Sequence, residues 1–312
     1  MASRDHARKV NHSLLEVNNR ISFMERTKAP ENRFSFKINK LHFLLPIFFT
    51  ILISLIYSQF VLLSQVESNS SKFLFDGYSE VFIALNISAI TIISAISLFI
   101  FFRIIKTKRD LALRVLVAAF IIGGMLSTLL FGKHIFVLLN LESPLFLLVV
   151  AVVAYIGTYF AYLAFVEALS DRAKNTLFLV CSGTLGSFIG ILVPILPVIG
   201  ISLFLSIADI ILISKSTVEK IVGEAEYEKL IMKVAFSNRE WGIGIGDLTC
   251  FSMIVASSSV SYGFIVGALS LLLILIGSLI SLILTIKLVR IPGLPISTML
   301  GLLPSISLLI FY

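Results

Sequence analysis

Residues 144–166 and 264–286 each run for more than twenty positions without one charged side chain. About 20 apolar residues, at 1.5 Å each along a helix, cross the ~30 Å hydrocarbon core of a bilayer. Inside that core only a helix or a closed barrel satisfies every backbone N–H and C=O. A barrel needs short segments of alternating polarity, which these runs are not. Apolar residues make up 58% of the 312-residue chain, charged residues 14%, and mean hydropathy is +1.02. A soluble domain is nearer 45–50% apolar and about 25% charged, so a soluble or disordered chain is excluded. The expected fold is an all-α polytopic membrane protein.

Nine transmembrane helices are expected, at 41–63, 81–102, about 115–131, 144–166, about 176–193, 197–214, 241–262, 264–286 and 294–312. The run 176–214 is too long for one crossing, and Pro194 and Pro197 divide it. The run 241–286 is also too long, and the Ser257–Gly263 stretch is the expected turn. Lys133 and His134 interrupt an apolar pattern that continues past the third span. Small-xxx-small pairs, Gly186/Gly190 and Gly263/Gly267, fit helix packing.

Residues 1–40 form a basic arm with no apolar run near its start, so no cleavable signal peptide is expected. Val10, Leu14, Val17, Ile21 and Met24 put an apolar stripe on a short amphipathic helix there, suited to a membrane surface. The remaining unit is the nine-span domain, 41–312. Of the 25 Lys and Arg, 23 fall in the arm, 103–114, 167–175, 215–240 and 287–293; only Lys72 and Lys133 fall in the alternate connections. The positive-inside rule then places the N-terminus in the cytosol, the 215–240 loop with it, and the C-terminus outside. The net charge of +7 is thus spent on topology and calls for no nucleic acid. Cys181 and Cys250 lie in apolar runs, and His6, His12, His42 and His134 are scattered, so neither a disulfide framework nor a metal site is expected.

Of 18 acidic residues, 16 lie in tails, loops or span ends; Asp209 and Asp247 do not. A mid-span aspartate is unfavourable by roughly 2.5–3.5 kcal/mol, so each needs a partner or a task. Asp209 precedes Lys215 by six residues, and Asp247 follows Glu240 by seven. Both therefore sit roughly 9–11 Å below one membrane surface, on antiparallel helices joined by the 215–240 loop. Two carboxylates at one depth tend to share a proton. The ionised member takes a proton from water, and the protonated member hydrogen-bonds the carbonyl under attack. The bland alternative is that each bonds a hydroxyl or backbone group on a neighbouring helix.

Gly242, Gly244 and Gly246 alternate just before Asp247. Read as helix, Gly242 and Gly246 share a face and let another chain approach closely. The stretch lacks the Lys-Ser/Thr of a phosphate loop. On the same side lies Pro292-Gly293-Leu294-Pro295, where two missing N–H groups delay the start of the last helix.

Ala208-Asp209, Gly244-Ile245-Gly246-Asp247 and Pro292-Gly293-Leu294-Pro295 resemble, in order, the Tyr-Asp, Gly-x-Gly-Asp and Pro-Ala-Leu signatures of the presenilin and signal peptide peptidase family. The flanks Asp247–Val255 and Leu294–Leu302 extend the resemblance, which covers about 200–312 by motif and the first half by span count. It implies a GxGD intramembrane aspartyl protease with Asp209 and Asp247 catalytic. It also implies that Gly244, Gly246, Pro292, Gly293, Leu294 and Pro295 hold the substrate. The substrates implied are transmembrane segments of other proteins, cut within the lipid bilayer without a cofactor. The cytosolic catalytic loop is presenilin-like; signal peptide peptidases place it outside. The shortness of 215–240 resembles archaeal presenilin-type homologues, which implies an enzyme acting alone, as a multi-pass protein of a prokaryotic plasma membrane. Ala208 stands where the family has Tyr, removing a polar aromatic beside the dyad, and Gly293 stands where it has Ala.

A secondary transporter using the aspartate pair as a proton or sodium site is the alternative. It predicts repeated halves and leaves the proline motif unexplained; no repeat is visible. Prepilin and preflagellin peptidases share Gly-x-Gly-Asp but have fewer spans and lack the proline motif.

Overall fold

The computed structural model describes residues 40–67, 109–139, 143–214, 234–238, 241–288 and 293–311. The expected arm helix, the second span at 81–102, most of the 215–240 loop and Pro292 lie outside them. The described chain forms α1 (Lys40–Glu67), α2 (Arg109–Leu138), α3 (Ser143–Phe165), α4 (Asp171–Leu192) and α5 (Ile195–Ser214). A hairpin of β1 (Ala235–Asn238) and β2 (Trp241–Gly244) follows, then α6 (Ile245–Tyr262), α7 (Phe264–Leu288) and α8 (Leu294–Phe311). Among the described residues six helices, α1 to α4, α7 and α8, are long and apolar enough to cross a membrane. The protein is an α-helical, polytopic integral membrane protein, and its described residues include one small hairpin.

Four boundaries differ from expectation, each for a local reason. First, α2 runs through Lys133 and His134 to Leu138. The Lys133 side chain is exposed, and His134 Nδ1 makes a 2.8 Å hydrogen bond with Ser64 Oγ on α1. Second, α5 starts at Ile195, so Pro197 occupies its first turn, where a missing N–H interrupts no helical bond. Third, Trp241–Gly244 is strand, paired antiparallel as Ala235↔Gly244, Phe236↔Ile243, Ser237↔Gly242 and Asn238↔Trp241. Gly242 and Gly246 therefore share no helix face. Fourth, the serine stretch stays helical, and the turn is Gly263 alone, at φ +92°, where a side chain would be strained. Ser258 and Ser259 are held by interhelical bonds instead, to Ser305 Oγ at 2.7 Å and from Gln59 Nε2 at 2.7 Å.

The most enclosed element is α6. Every residue from Cys250 to Ser259 is buried, and α4, α1, α7, α8 and α5 surround the helix. Contact with protein on all sides explains how a helix with so many hydroxyls sits among apolar spans. Ser54 Oγ on α1, for example, donates to the Ser252 carbonyl at 2.6 Å. The closest approach is to α4: a Cβ on Gly186 would run into the Thr249 carbonyl, and one on Gly190 into the Met253 carbonyl. That small-residue pair is a packing face, as expected. The second pair divides its work: Gly267 lies against Ser259, while Gly263 makes the turn. Leu248, Ile254, Val255, Ile274 and Leu302 form the core where α6, α7 and α8 meet.

Candidate active site

Asp209 lies near the end of α5 and Asp247 is the third residue of α6. Packing of α5 on α6 brings the two carboxylates within electrostatic reach of each other. Deeper in the same contact, the Cys250 thiol of α6 donates to Ser202 Oγ of α5 at 3.8 Å.

The third motif arrives on α8, which packs against both helices. Its first residue, Leu294, donates its backbone N–H to Asp209 Oδ2 at 3.4 Å. The first N–H groups of a helix have no partner within it, and its N-terminus carries partial positive charge. Asp209 answers both. Asp247 stands in the first turn of its own helix, at the corresponding end of α6. Each carboxylate is thus matched to a helix N-terminus. Pro295, in the first turn of α8, interrupts nothing there.

The glycines differ from one another. Gly244 ends β2 and caps α6 without a side chain; a Cβ on it would come within 3.3 Å of Asp247 Oδ2. Gly246 is exposed, and a Cβ there would meet nothing within 4 Å. Gly293 is exposed too, with Ser281 Oγ 3.9 Å from where a Cβ would stand, an ordinary contact. Glycine in place of the family's alanine therefore relieves no clash. Leu294 is 4% exposed and belongs to the core, so its side chain packs inward while its N–H faces Asp209. The chain thus brings Asp209, Asp247, Gly244 and Leu294 together, with Gly246, Gly293 and Pro295 adjoining in sequence.

A hairpin, where a helix is expected, leads into Asp247. Trp241 stacks on Phe236 at 5.8 Å between ring centroids and meets Phe43 of α1 edge-on at 5.4 Å. The ladder extends past β2, because Ile245 N–H bonds the Val234 carbonyl at 3.3 Å. Asn175 of α4 grips the outer edge of β1. The alternation Trp241, Ile243 against Gly242, Gly244 is the two-residue period that signals a strand. Asn175, one polar residue in a polar connection, carries no signal.

The class these observations define is a polytopic membrane protein with an aspartate pair at the junction of three helices. The fold is similar to a solved structure of a presenilin family intramembrane aspartate protease, with a TM-score of 0.53 at 17% sequence identity, covering 86% of this chain and 99% of that one. No protein-family model matches the sequence, and no curated protein matches it. At that identity the likeness concerns the fold, and the chemistry rests on this chain's own residues.

Proposed function

We propose that the protein is an intramembrane aspartic endopeptidase of GxGD type, hydrolysing peptide bonds within transmembrane segments. The observation that carries this reading is the meeting of all three motifs: Asp209 and Asp247 in electrostatic reach, with the Leu294 N–H on Asp209 Oδ2. The Leu294 bond alone is what the bland alternative expects of Asp209; a second carboxylate within electrostatic reach of the first, on the adjoining helix, is what that alternative leaves unexplained. In the proposed mechanism the ionised aspartate takes a proton from a water that attacks the scissile carbonyl carbon. The protonated aspartate donates to the carbonyl oxygen, and the resulting gem-diol collapses as the amide nitrogen is protonated and leaves. No covalent intermediate forms.

The finer features of the reading are a nine-span domain at 41–312, a cytosolic arm at 1–40, a cytosolic 215–240 loop and Tyr312 outside. They come with a presenilin-type homologue of archaeal character in a prokaryotic plasma membrane, acting without an obligate partner. A substrate helix hides its carbonyls in its own hydrogen bonds, so it must unwind before Asp209 and Asp247 reach one. Gly244 and Gly246 beside Asp247, Gly293, Leu294 and Pro295 at the start of α8, and Pro292, which precedes them in the sequence, are the proposed substrate contacts.

The test is incubation of the purified protein with a labelled single-span substrate, followed by mass mapping. Internal cuts within the span, faster for a span with a central glycine pair than for poly-leucine, are expected. Ion flux in liposomes without peptide products would replace this reading with the transporter.

A further inference from the structure

We propose that Asn175 is a positioning residue of the catalytic site, its amide holding the hairpin that aims Asp247 and so setting where the substrate is cut. The inference rests on the protease reading above. Asn175 Nδ2 donates to the Ser237 carbonyl at 2.8 Å, and the Ser237 N–H donates to Asn175 Oδ1 at 3.2 Å. One side chain thus makes both bonds that a neighbouring strand would make to one residue. In an antiparallel ladder, alternate residues exchange both bonds with their partner, and those between turn both groups outward. Ser237, opposite Gly242, is of the second kind, since its two groups are taken by Asn175. The amide acts as a one-residue third strand and closes the outer edge of β1. An open edge is where an extended chain pairs.

The consequence reaches the dyad through a short, continuous path. Asn175 fixes Ser237, Ser237 is in register with Gly242, and β2 runs without a break through Gly244 into α6. Gly244 stands against the Asp247 carboxylate. The aromatic contacts of Trp241 and the burial of Ala235 and Ile243 hold the hairpin against the helices without a fixed direction; the Asn175 pair is directional and specifies a register. Loss of the pair shifts Gly244 and therefore which substrate carbonyl Asp247 meets. Neither contact touches a reacting atom, so Asn175 acts through the hairpin.

The test compares Asn175→Ala and Asn175→Asp with the parent protein in detergent or liposomes. Amide exchange of the 234–238 segment should quicken in Asn175→Ala. Its kcat on the single-span substrate should fall about tenfold at unchanged KM, because both hydrogen bonds to Ser237 are lost and only part of their free energy reaches the placement of Asp247. Its products should include cut positions that the parent does not use, which a merely less stable protein would not produce. A protonated Asp is nearly isosteric with Asn and keeps one donor and one acceptor. The kcat of Asn175→Asp relative to the parent should therefore recover as pH falls toward the ordinary aspartate value of ~3.9. Parental products and kcat from an Asn175→Ala protein whose 234–238 amides exchange faster, or a pH-independent Asn175→Asp ratio, overturn the positioning role alone. No cleavage by the parent overturns the protease reading, and the positioning role with it.

Discussion

The backbone N–H of Leu294 reaches Asp209 Oδ2 across 3.4 Å, linking the first residue of α8 to a carboxylate on α5 that is 85 positions earlier in the chain. Pro295, in the first turn of α8, interrupts no helical bond, and the burial of the Leu294 side chain holds the Leu294 N–H toward Asp209.

Leu294→Pro removes that N–H at a helix position that tolerates proline, while Leu294→Ala keeps it and loses only the side chain. Both lose core packing, so both should unfold at lower temperature. The proline variant should be about tenfold slower than the alanine variant in kcat, since a hydrogen bond to the aspartate pair is lost as well. Single-turnover cleavage of the two, normalised to folded protein, measures the difference. Gly293→Ala, whose added carbon meets only Ser281 Oγ at 3.9 Å, should unfold at the parent's temperature.

Asp209→Asn and Asp247→Asn should each abolish hydrolysis, and the double variant should be no worse than either single one, because acid and base act as a unit. Asn has nearly the same volume and carries no charge, so thermal stability in detergent should hold or rise. The parent's rate should be bell-shaped in pH, because only the singly protonated pair works: deprotonation of the second carboxyl removes the acid, and protonation of the first removes the base. A single variant that cuts at parental rate would sink the shared-dyad mechanism.

What the sequence disclosed and what it withheld divide along physical lines. Transmembrane helices are written in long apolar runs, because lipid leaves the backbone no other partner, and the α4–α5 break was legible in Pro194 and Pro197. Asp209 and Asp247 were legible because a charge inside such a run is costly. The helical reading of Trp241–Gly244 failed because a four-residue strand is too short for its alternation to outweigh the apolar run it adjoins. The strand exists through its pairing with 235–238, a tertiary fact. The turn at Gly263 was blurred by serines that look like loop residues until their hydroxyls find Ser305 and Gln59 on other helices. Asn175 had no sequence signature at all: its role depends on α4 bringing it to Ser237, 62 positions away.

The α4–α6 contact carries the scaffold of the site, and its closeness depends on two hydrogens in place of side chains. Gly190→Ala would drive a methyl into the Met253 carbonyl, and Gly186→Ala would drive one into the Thr249 carbonyl, two residues after Asp247. Backbone cannot rotate away as a side chain does, so the helices must separate. Each variant should lose about 1–3 kcal/mol, the usual result of overpacking. Gly132→Ala, with nothing within 4 Å of the added carbon and a helical position that favours alanine, is the control and should melt no lower than the parent. Thermal unfolding in detergent distinguishes them, and equal midpoints for Gly132→Ala and Gly190→Ala would contradict the packing.

Gly244 and Gly246 flank one residue, yet they should fail differently when each gains a methyl. At 244 the added carbon would sit 3.3 Å from Asp247 Oδ2 in the free enzyme. The carboxylate has to give way by a few tenths of an ångström before any substrate arrives. Misplacing a reacting group costs rate, because catalysis depends on near-attack geometry, so Gly244→Ala should lower kcat about tenfold and leave KM little changed. At 246 the methyl meets nothing within 4 Å, so folding, stability and the dyad should match the parent. What it does meet is the proposed substrate backbone, approaching along the exposed glycine beside Asp247. A methyl there obstructs binding in ground state and transition state alike, so Gly246→Ala should raise KM several-fold with kcat largely kept. Steady-state kinetics on one single-span substrate, with enzyme concentration set by active folded protein, separates the two patterns. Parental KM in Gly246→Ala would remove that glycine from the substrate path, and parental kcat in Gly244→Ala would show that Asp247 has room the geometry denies it.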